Sequence, residues 1–329
     1  MPPRISLTPP LLNSATPWAT TVDQLAALYD CPHTGAVTTR TTLPAGFAHD
    51  DRIHQHAFFG ASSLNTYGYS PHALAYYLDV IAQLVGAKPQ RKPFIVSLGG
   101  PAASVAAGIQ QLAAFAAATS IDVWAELNLS CPNLPSRPPP AYSSSELAAY
   151  LALLPHPSPI PVGIKTPPFT HAAQFDGLVA AVAEFPNALA FVTATNTLGG
   201  CLHLSPSDMP GTKKWQPTLA SEAGTGVGGL AGEAIHWLSL GNVATLRRAL
   251  DAAGLADVAV IGVGGVGDRE GMERMLSVGA AAVGVGTALG REGIDVFASI
   301  LAVESEGTSV AEVCGEATVA EMHCVAGGE

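Results

Sequence analysis

VAVIGVGGVGDREGMERML, Val258–Leu276, admits two folds. An apolar strand runs into a glycine-rich turn and then into a helix, the outline of a dinucleotide-binding fingerprint in an open, doubly wound sheet. That fingerprint also needs an acidic residue about 20 positions on, after the next strand, to hold a ribose. Here the next strand, near Ala281–Val285, ends in Gly286-Thr287. In a (β/α)8 barrel, glycine turns after strands seven and eight form a phosphate site instead, because backbone N–H groups without a neighbouring Cβ can approach the anion. Two plain tight turns are the alternative, and the agreement of two adjacent loops favours the phosphate site.

Working outward, short β-branched runs predict strands near Leu11–Ala15, Gly35–Thr39, Phe94–Leu98, Ile121–Asn128, Ile160–Lys165 and Leu189–Thr193, besides Val258–Gly262 and Ala281–Val285. Helical periodicity fills Pro71–Val85, Ala102–Thr119, Ser144–Leu154, His171–Glu184, Glu233–Ala253, Arg269–Val278 and Asp295–Glu304, with Pro71 and Ser144 placed as helix starts. Eight strand–helix units are the count for a closed TIM barrel, in which function collects at the C-terminal strand ends. Those ends read Ala15, Arg40, Ser97, Asn128, Lys165, Thr193 with Asn196, Gly264-Gly265 and Gly286-Thr287. Polar residues and glycines thus gather where strand interiors are apolar. The longest connections, residues 41–70, 129–143 and 194–232, leave from the same face and read as loops forming lids or binding walls. A single barrel domain over residues 1–329 is expected.

Composition narrows the function classes. Hydrophobic residues make up 48% of 329 and charged residues 12%, enough for a large core. The net charge of −11, with no Lys/Arg cluster, argues against a nucleic-acid partner. Mean hydropathy is +0.30, yet the apolar runs are short and broken and fall below the roughly 20 residues of a spanning helix. The N-terminus has no secretory or transit character, so a cytoplasmic protein is expected. Five cysteines at wide, irregular spacing make neither a disulfide framework nor a metal pairing, and four of them read as buried apolar residues or bystanders.

Three groups of residues can carry chemistry, and a fourth, rich in histidine, only invites it. Lys165 ends an apolar strand, where an amine needs an anion or polarised group; a Schiff-base lysine, a partner for a cofactor ring and a snorkelling surface lysine all fit. The run HDDRIHQH (His49–His56) has no metal-ligand period and reads as solvated loop, so no metal is expected. Asn65, Asn128, Asn133 and Asn196 are expected on one face, where their amides would suit a flat heterocycle with alternating C=O and N–H groups; taken singly, each also reads as a turn residue. Cys131, in NLSCPN (Asn128–Asn133), has no nearby His, Asp or Glu to make a nucleophile pair, which favours a general base over acyl transfer, with a buried inert cysteine as the alternative.

NLSCPNLPSRPPPAY (Asn128–Tyr142), FFGASSLNTYGYSPHALAYYLD (Phe58–Asp79), PVGIKTPPF (Pro161–Phe169), FVTATNTLGG (Phe191–Gly200), GVGGLAG (Gly226–Gly232) and Ile261–Gly293 together resemble the blocks of dihydroorotate dehydrogenases. The resemblance runs from about Asn13 to Gly293 and is nearest to the soluble class 1A, fumarate-using type. It implies an FMN-dependent oxidation of dihydroorotate in pyrimidine biosynthesis, with fumarate as acceptor and a homodimeric assembly. Cys131 would take the C5 proton while the C6 hydride passes to FMN. Asn65, Gly68, Tyr69, Asn128, Asn133, Asn196 and Thr197 would hold the pyrimidine and its carboxylate. Lys165 would lie by the flavin ring, Ala15, Thr16 and Asn128 along it, and Gly228-Gly229, Gly264-Gly265 and Gly286-Thr287 on its phosphate tail.

The departures lie on the substrate side. The family lysine that touches both flavin and substrate is Arg40 here, a planar and always-charged group. The loop that follows reads AGFAHDDRIHQHAFF (Ala45–Phe59), with Arg52 as a stand-in for the family arginine. The usual Asn-Ser-Met-Gly-Leu is Asn65-Thr66-Tyr67-Gly68-Tyr69, and the usual Asn-Ser is Asn196-Thr197. FMN binding is therefore expected more firmly than dihydroorotate specificity, and a paralogue acting on another pyrimidine-like or enone substrate is the alternative.

Overall fold

The computed structural model describes residues 5–86, 90–131, 138–207 and 214–302. Along the chain, β1 (Leu11–Asn13), α1 (Val22–Asp30) and β2 (Val37–Thr38) come first, followed by a hairpin of β3 (His56–Phe59) and β4 (Ser62–Asn65). Next are α2 (Leu74–Gly86), β5 (Phe94–Leu98), α3 (Ala102–Thr119), β6 (Val123–Asn128), α4 (Ser144–Leu151), β7 (Val162–Thr166), α5 (Ala172–Glu184) and β8 (Phe191–Ala194). Four short strands follow: β9 (Leu198–Cys201), β10 (Leu204–Pro206), β11 (Trp215–Pro217) and β12 (Gly228–Gly232). The described chain ends with α6 (His236–Ala252), β13 (Ala259–Val263), α7 (Arg269–Ser277), β14 (Ala282–Val285), α8 (Thr287–Glu292) and α9 (Val296–Leu301).

Eight parallel strands form one sheet in the order β1-β14-β13-β8-β7-β6-β5-β2, the (β/α)8 barrel expected from the sequence. The seam between β1 and β2 closes through a bridge from Leu12 to Ala36. Asn13 completes it: its Nδ2 donates to the Thr38 carbonyl at 2.6 Å, and its Oδ1 accepts from the Thr38 N–H at 2.9 Å. One fully buried side-chain amide thus does the work of a peptide group across the seam.

Strand alternation separates two cores. In β6, Val123, Ala125 and Leu127 pack outward with the helices, whereas Trp124 faces the barrel interior with Ile95, Phe191 and Ile261. Gly163 makes this possible, since a Cβ there would meet the Phe191 ring at 2.3 Å. Higher in the barrel the interior turns polar, with Ser97, Glu126, Lys165 and Thr193 all buried. Outside the barrel, the 18-residue α3 is long and apolar enough by composition to cross a membrane; Val105, Ile109 and Leu112 on one face are buried in the outer core.

Several expectations need correcting. Residues 41–70 and 194–232 are not plain loops, because β3, β4, β12 and β9 pair antiparallel as a second sheet and β10–β11 make a separate hairpin. The second helix starts at Leu74 rather than Pro71. Ser143, not Ser144, is the N-cap of α4, accepting from the Glu146 N–H. Both α1, closed at its start by a Thr21–Gln24 capping box, and the short α8 went unpredicted.

Candidate active site

The C-terminal ends of the barrel strands and the antiparallel sheet enclose a cavity of about 370 Å³, within the range of small-molecule and cofactor sites. Of the candidate residues, Ala15, Thr16, Arg40, Asn65, Gly68, Tyr69, Asn128, Cys131, Lys165, Asn196, Thr197, Gly264, Gly265, Gly286 and Thr287 line it together. Gly228 and Gly229 are not among the lining residues. They lie in β12, where a Cβ on Gly228 would sit 2.2 Å from the Asn65 carbonyl oxygen, so the glycine permits close strand approach. Gly232, at the end of the same strand, does line the cavity. Asn133, and with it the second amide of NLSCPN, lies outside the described residues, as do Cys314 and Cys324.

Lys165 does not snorkel. It is 3% exposed and its Nζ donates to Ser14 Oγ at 2.8 Å. Burial pushes its ammonium down from the ordinary lysine range, while the charges of Glu126 and Cys131 oppose that shift. Around Cys131 the amides are ordered: Asn128 Oδ1 accepts from Ser130 Oγ at 2.8 Å, and Asn196 Nδ2 donates to Ser130 Oγ at 2.8 Å and to Asn128 Oδ1 at 3.3 Å. Asn196 Oδ1 in turn accepts from the Thr197 N–H at 2.7 Å. Asn65, reached from β4, donates to the Gly229 carbonyl at 3.2 Å. Tyr69 lines the wall beside Cys131, and burial, reinforced by Cys131 and Tyr150, pushes its phenol far up, so it stays a protonated donor.

Arg40 is the unusual wall. Its guanidinium is buried, stands 5.2 Å from the Tyr67 ring centroid, and leaves Nη2 without a hydrogen-bond partner. Thr16 Oγ1 is likewise buried and unpartnered. Buried polar atoms of this kind are rare unless a ligand completes them. The histidine run is less solvated than expected: His54 is buried, and His56 lines the cavity and pairs with the Tyr67 hydroxyl at 2.8 Å. Arg52 stays at the surface on Asp50, 2.6 Å away, so it does not replace the family arginine in the cavity. Among the described residues, no group of three His, Cys, Asp or Glu could hold a metal.

At the far end, Gly264 (φ +140°) and Gly265 (φ +72°) take conformations that L side chains rarely adopt. A Cβ on Gly264 would also meet Ser239 Oγ at 2.0 Å. The neighbouring Thr287 hydroxyl bonds Ser63 at 3.0 Å, tying the last barrel turn to the antiparallel sheet. Residues missed at the sequence level include Ser14, Trp18, Ser63 and His236, which line the same cavity. His236 Nδ1 bonds the Gly264 carbonyl at 2.8 Å and its Nε2 accepts from Arg274 Nε at 3.1 Å, so one ring braces the glycine turn. The glycine loops carry a recognisable signal, but isolated Ser and His residues do not.

Comparison with known proteins agrees with this architecture. The family model described as dihydroorotate dehydrogenase matches residues 6–303. A relative from Trypanosoma brucei brucei, named dihydroorotate dehydrogenase (fumarate), is 30% identical over 88% of this chain and 87% of its own. One from Streptococcus equi, named putative dihydroorotate dehydrogenase A (fumarate), is 28% identical over 88% and 86%. The solved structure of a ligand-free type dihydroorotate dehydrogenase from Eimeria tenella superposes with a TM-score of 0.66 at 16% identity, covering 88% of this chain and 82% of that one. That likeness speaks to the fold.

Proposed function

Since the chain belongs to the dihydroorotate dehydrogenase family of oxidoreductases, we propose that it oxidises dihydroorotate to orotate with FMN as cofactor and fumarate as electron acceptor. The observation that carries this reading is one cavity holding a thiol, ordered amides and a buried lysine at one end and glycine turns at the other. The residues fit FMN. The glycine turns at Gly264-Gly265 and Gly286, which line the cavity, suit a phosphate, and the unpartnered Thr16 Oγ1 and Arg40 Nη2 suit a polar ring. Lys165, held on Ser14, would sit by that ring and offset negative charge on it. When bound, FMN supplies the hydride acceptor.

The chain's own residues do the rest. Cys131 takes the C5 proton as general base, a role that demands a thiolate in reach of the carbon. Asn128, Asn196, Asn65 and Thr197, with Asn133 beyond the described residues, fix the pyrimidine edge through paired donors and acceptors. Arg40 meets the substrate carboxylate, for which a guanidinium fork is well matched. Fumarate as acceptor is supported by the names of the relatives. A cytoplasmic homodimer is part of the same proposal, and exposed Leu202, Leu204 and Trp215 on and beside the β10–β11 hairpin offer an apolar face for a second copy. The reading is tested by incubating the protein without oxygen with dihydroorotate and fumarate and following orotate by its ultraviolet absorbance. Orotate that accumulates beyond one per flavin only when fumarate is present supports it; no orotate from flavin-loaded protein contradicts it.

A further inference from the structure

Glu126 is a buried carboxylate, 3% exposed, in the upper barrel interior, and none of the steps above uses it. It accepts from Ser97 Oγ at 3.2 Å and from Thr193 Oγ1 at 2.7 Å. A hydroxyl has one proton, so Ser97, having given its own to Glu126, must accept at its 2.9 Å contact with Thr41 Oγ1. Thr41 therefore donates to Ser97 and has its lone pairs left for the Asn128 Nδ2 proton, 2.9 Å away. Asn128 is thereby held with Nδ2 toward Thr41 and Oδ1 toward Ser130 and Asn196, where it accepts from both. Each donor and acceptor of this relay, from Glu126 to Ser130 and Asn196, follows from its acceptor-only end.

We propose that Glu126 is a positioning residue: through Ser97 and Thr41 it sets the amide orientation of Asn128, and through Asn128 that of Ser130 and Asn196. The substrate then meets a preset pattern of donors and acceptors instead of amides free to turn over. This rests on the proposal that these amides hold the substrate, but the relay itself can be tested without one. Ser97 is not part of the cavity wall, so Ser97→Ala cuts the chain at a distance from any ligand. Thr193→Val removes the other hydroxyl on Glu126, which leads away from the amides, and serves as the control.

The first readout is hydrogen exchange of the Asn128 side-chain amide in the FMN-loaded protein, its resonance assigned by its absence from Asn128→Asp. Exchange should quicken at least tenfold in Ser97→Ala and in Thr41→Val, and stay within twofold in Thr193→Val. The second readout is anaerobic flavin reduction at varied dihydroorotate. Ser97→Ala should raise the half-saturating concentration about tenfold and leave the limiting rate within threefold, and Ser97→Ala/Thr41→Val should be no worse than Thr41→Val alone, because one chain is cut twice. Unchanged exchange in Ser97→Ala, an equal effect in Thr193→Val, or losses that add in the double variant would each overturn the proposal. If the unmodified protein is not reduced by dihydroorotate, the substrate reading fails by itself and the exchange data still decide the relay. Should Ser97→Ala not fold, Thr41→Val against Thr193→Val makes the same comparison.

Discussion

Cys131 and Arg40 carry the most specific expectations at the scale of single residues. Replacing Cys131 by serine leaves a hydroxyl far less acidic than a thiol, so flavin reduction at neutral pH should slow by 10² or more, within the span of general-base contributions. FMN content should be unchanged. Equal reduction rates in stopped-flow would remove Cys131 from the base role. Arg40→Met keeps the apolar stem over Tyr67 and removes the charge. Its half-saturating dihydroorotate concentration should rise at least tenfold, the scale of one lost charge-assisted hydrogen bond, and a steady-state measurement showing no rise would place the carboxylate elsewhere. Lys165, Arg40 and Asn128 were legible as polar residues where an apolar barrel strand gives out, and Cys131 and Asn196 as polar residues two or three positions beyond one, whereas Asn65 ends the polar strand SSLN and stands out by its motif alone. Ser97 was legible only as a polar strand end, and Glu126 and Thr41 not at all, because the partners lie 29 and 56 residues apart and only the pairing of β2, β5 and β6 brings them together.

Secondary-structure elements divide along the same line. Seven of the eight barrel strands carry β-branched residues and β1 (LLN) is read from its leucine pair, whereas β4 (SSLN), β9 (LGGC) and β12 (GGLAG) offer neither signal and pair only because tertiary contacts align them. The polar run HDDRIHQH carries a solvent-facing pattern, and nothing in it reveals that its fold-back buries His54. The His54 Nδ1 accepts from the Asp50 N–H at 2.9 Å, which requires it unprotonated, and burial with nearby His49 lowers its pKa. The unfolded chain then binds the extra proton more readily than the folded one. Stability should hold above the ordinary histidine value near ~6.5 and fall as pH drops below it, until the folded group also titrates. Urea midpoints between pH 7.5 and 5.5 should show this slope, and His54→Gln should reduce it, leaving the part due to His56, whose pKa burial also lowers. A slope that His54→Gln leaves unaltered would assign it to other groups.

For the molecule as a whole, the barrel seam and the exposed hairpin matter most. Asn13→Ala strands the Thr38 N–H and carbonyl in a buried seam, and should cost about 2–6 kcal/mol by denaturant unfolding, at roughly 1–3 for each orphaned group. A loss below about 1 kcal/mol would mean that the seam does not depend on Asn13. Trp215, 64% exposed on β11, should form part of the dimer contact, so Trp215→Glu should shift sedimentation from dimer toward monomer. A dimer equally tight in that variant would exclude the hairpin as the interface. The claim on which the rest depends is that this cavity accepts electrons from dihydroorotate. Flavin-loaded protein titrated with dihydroorotate under anaerobic conditions should lose its yellow absorbance and yield one orotate per flavin. Fully loaded flavin that stays oxidised throughout the titration would contradict it.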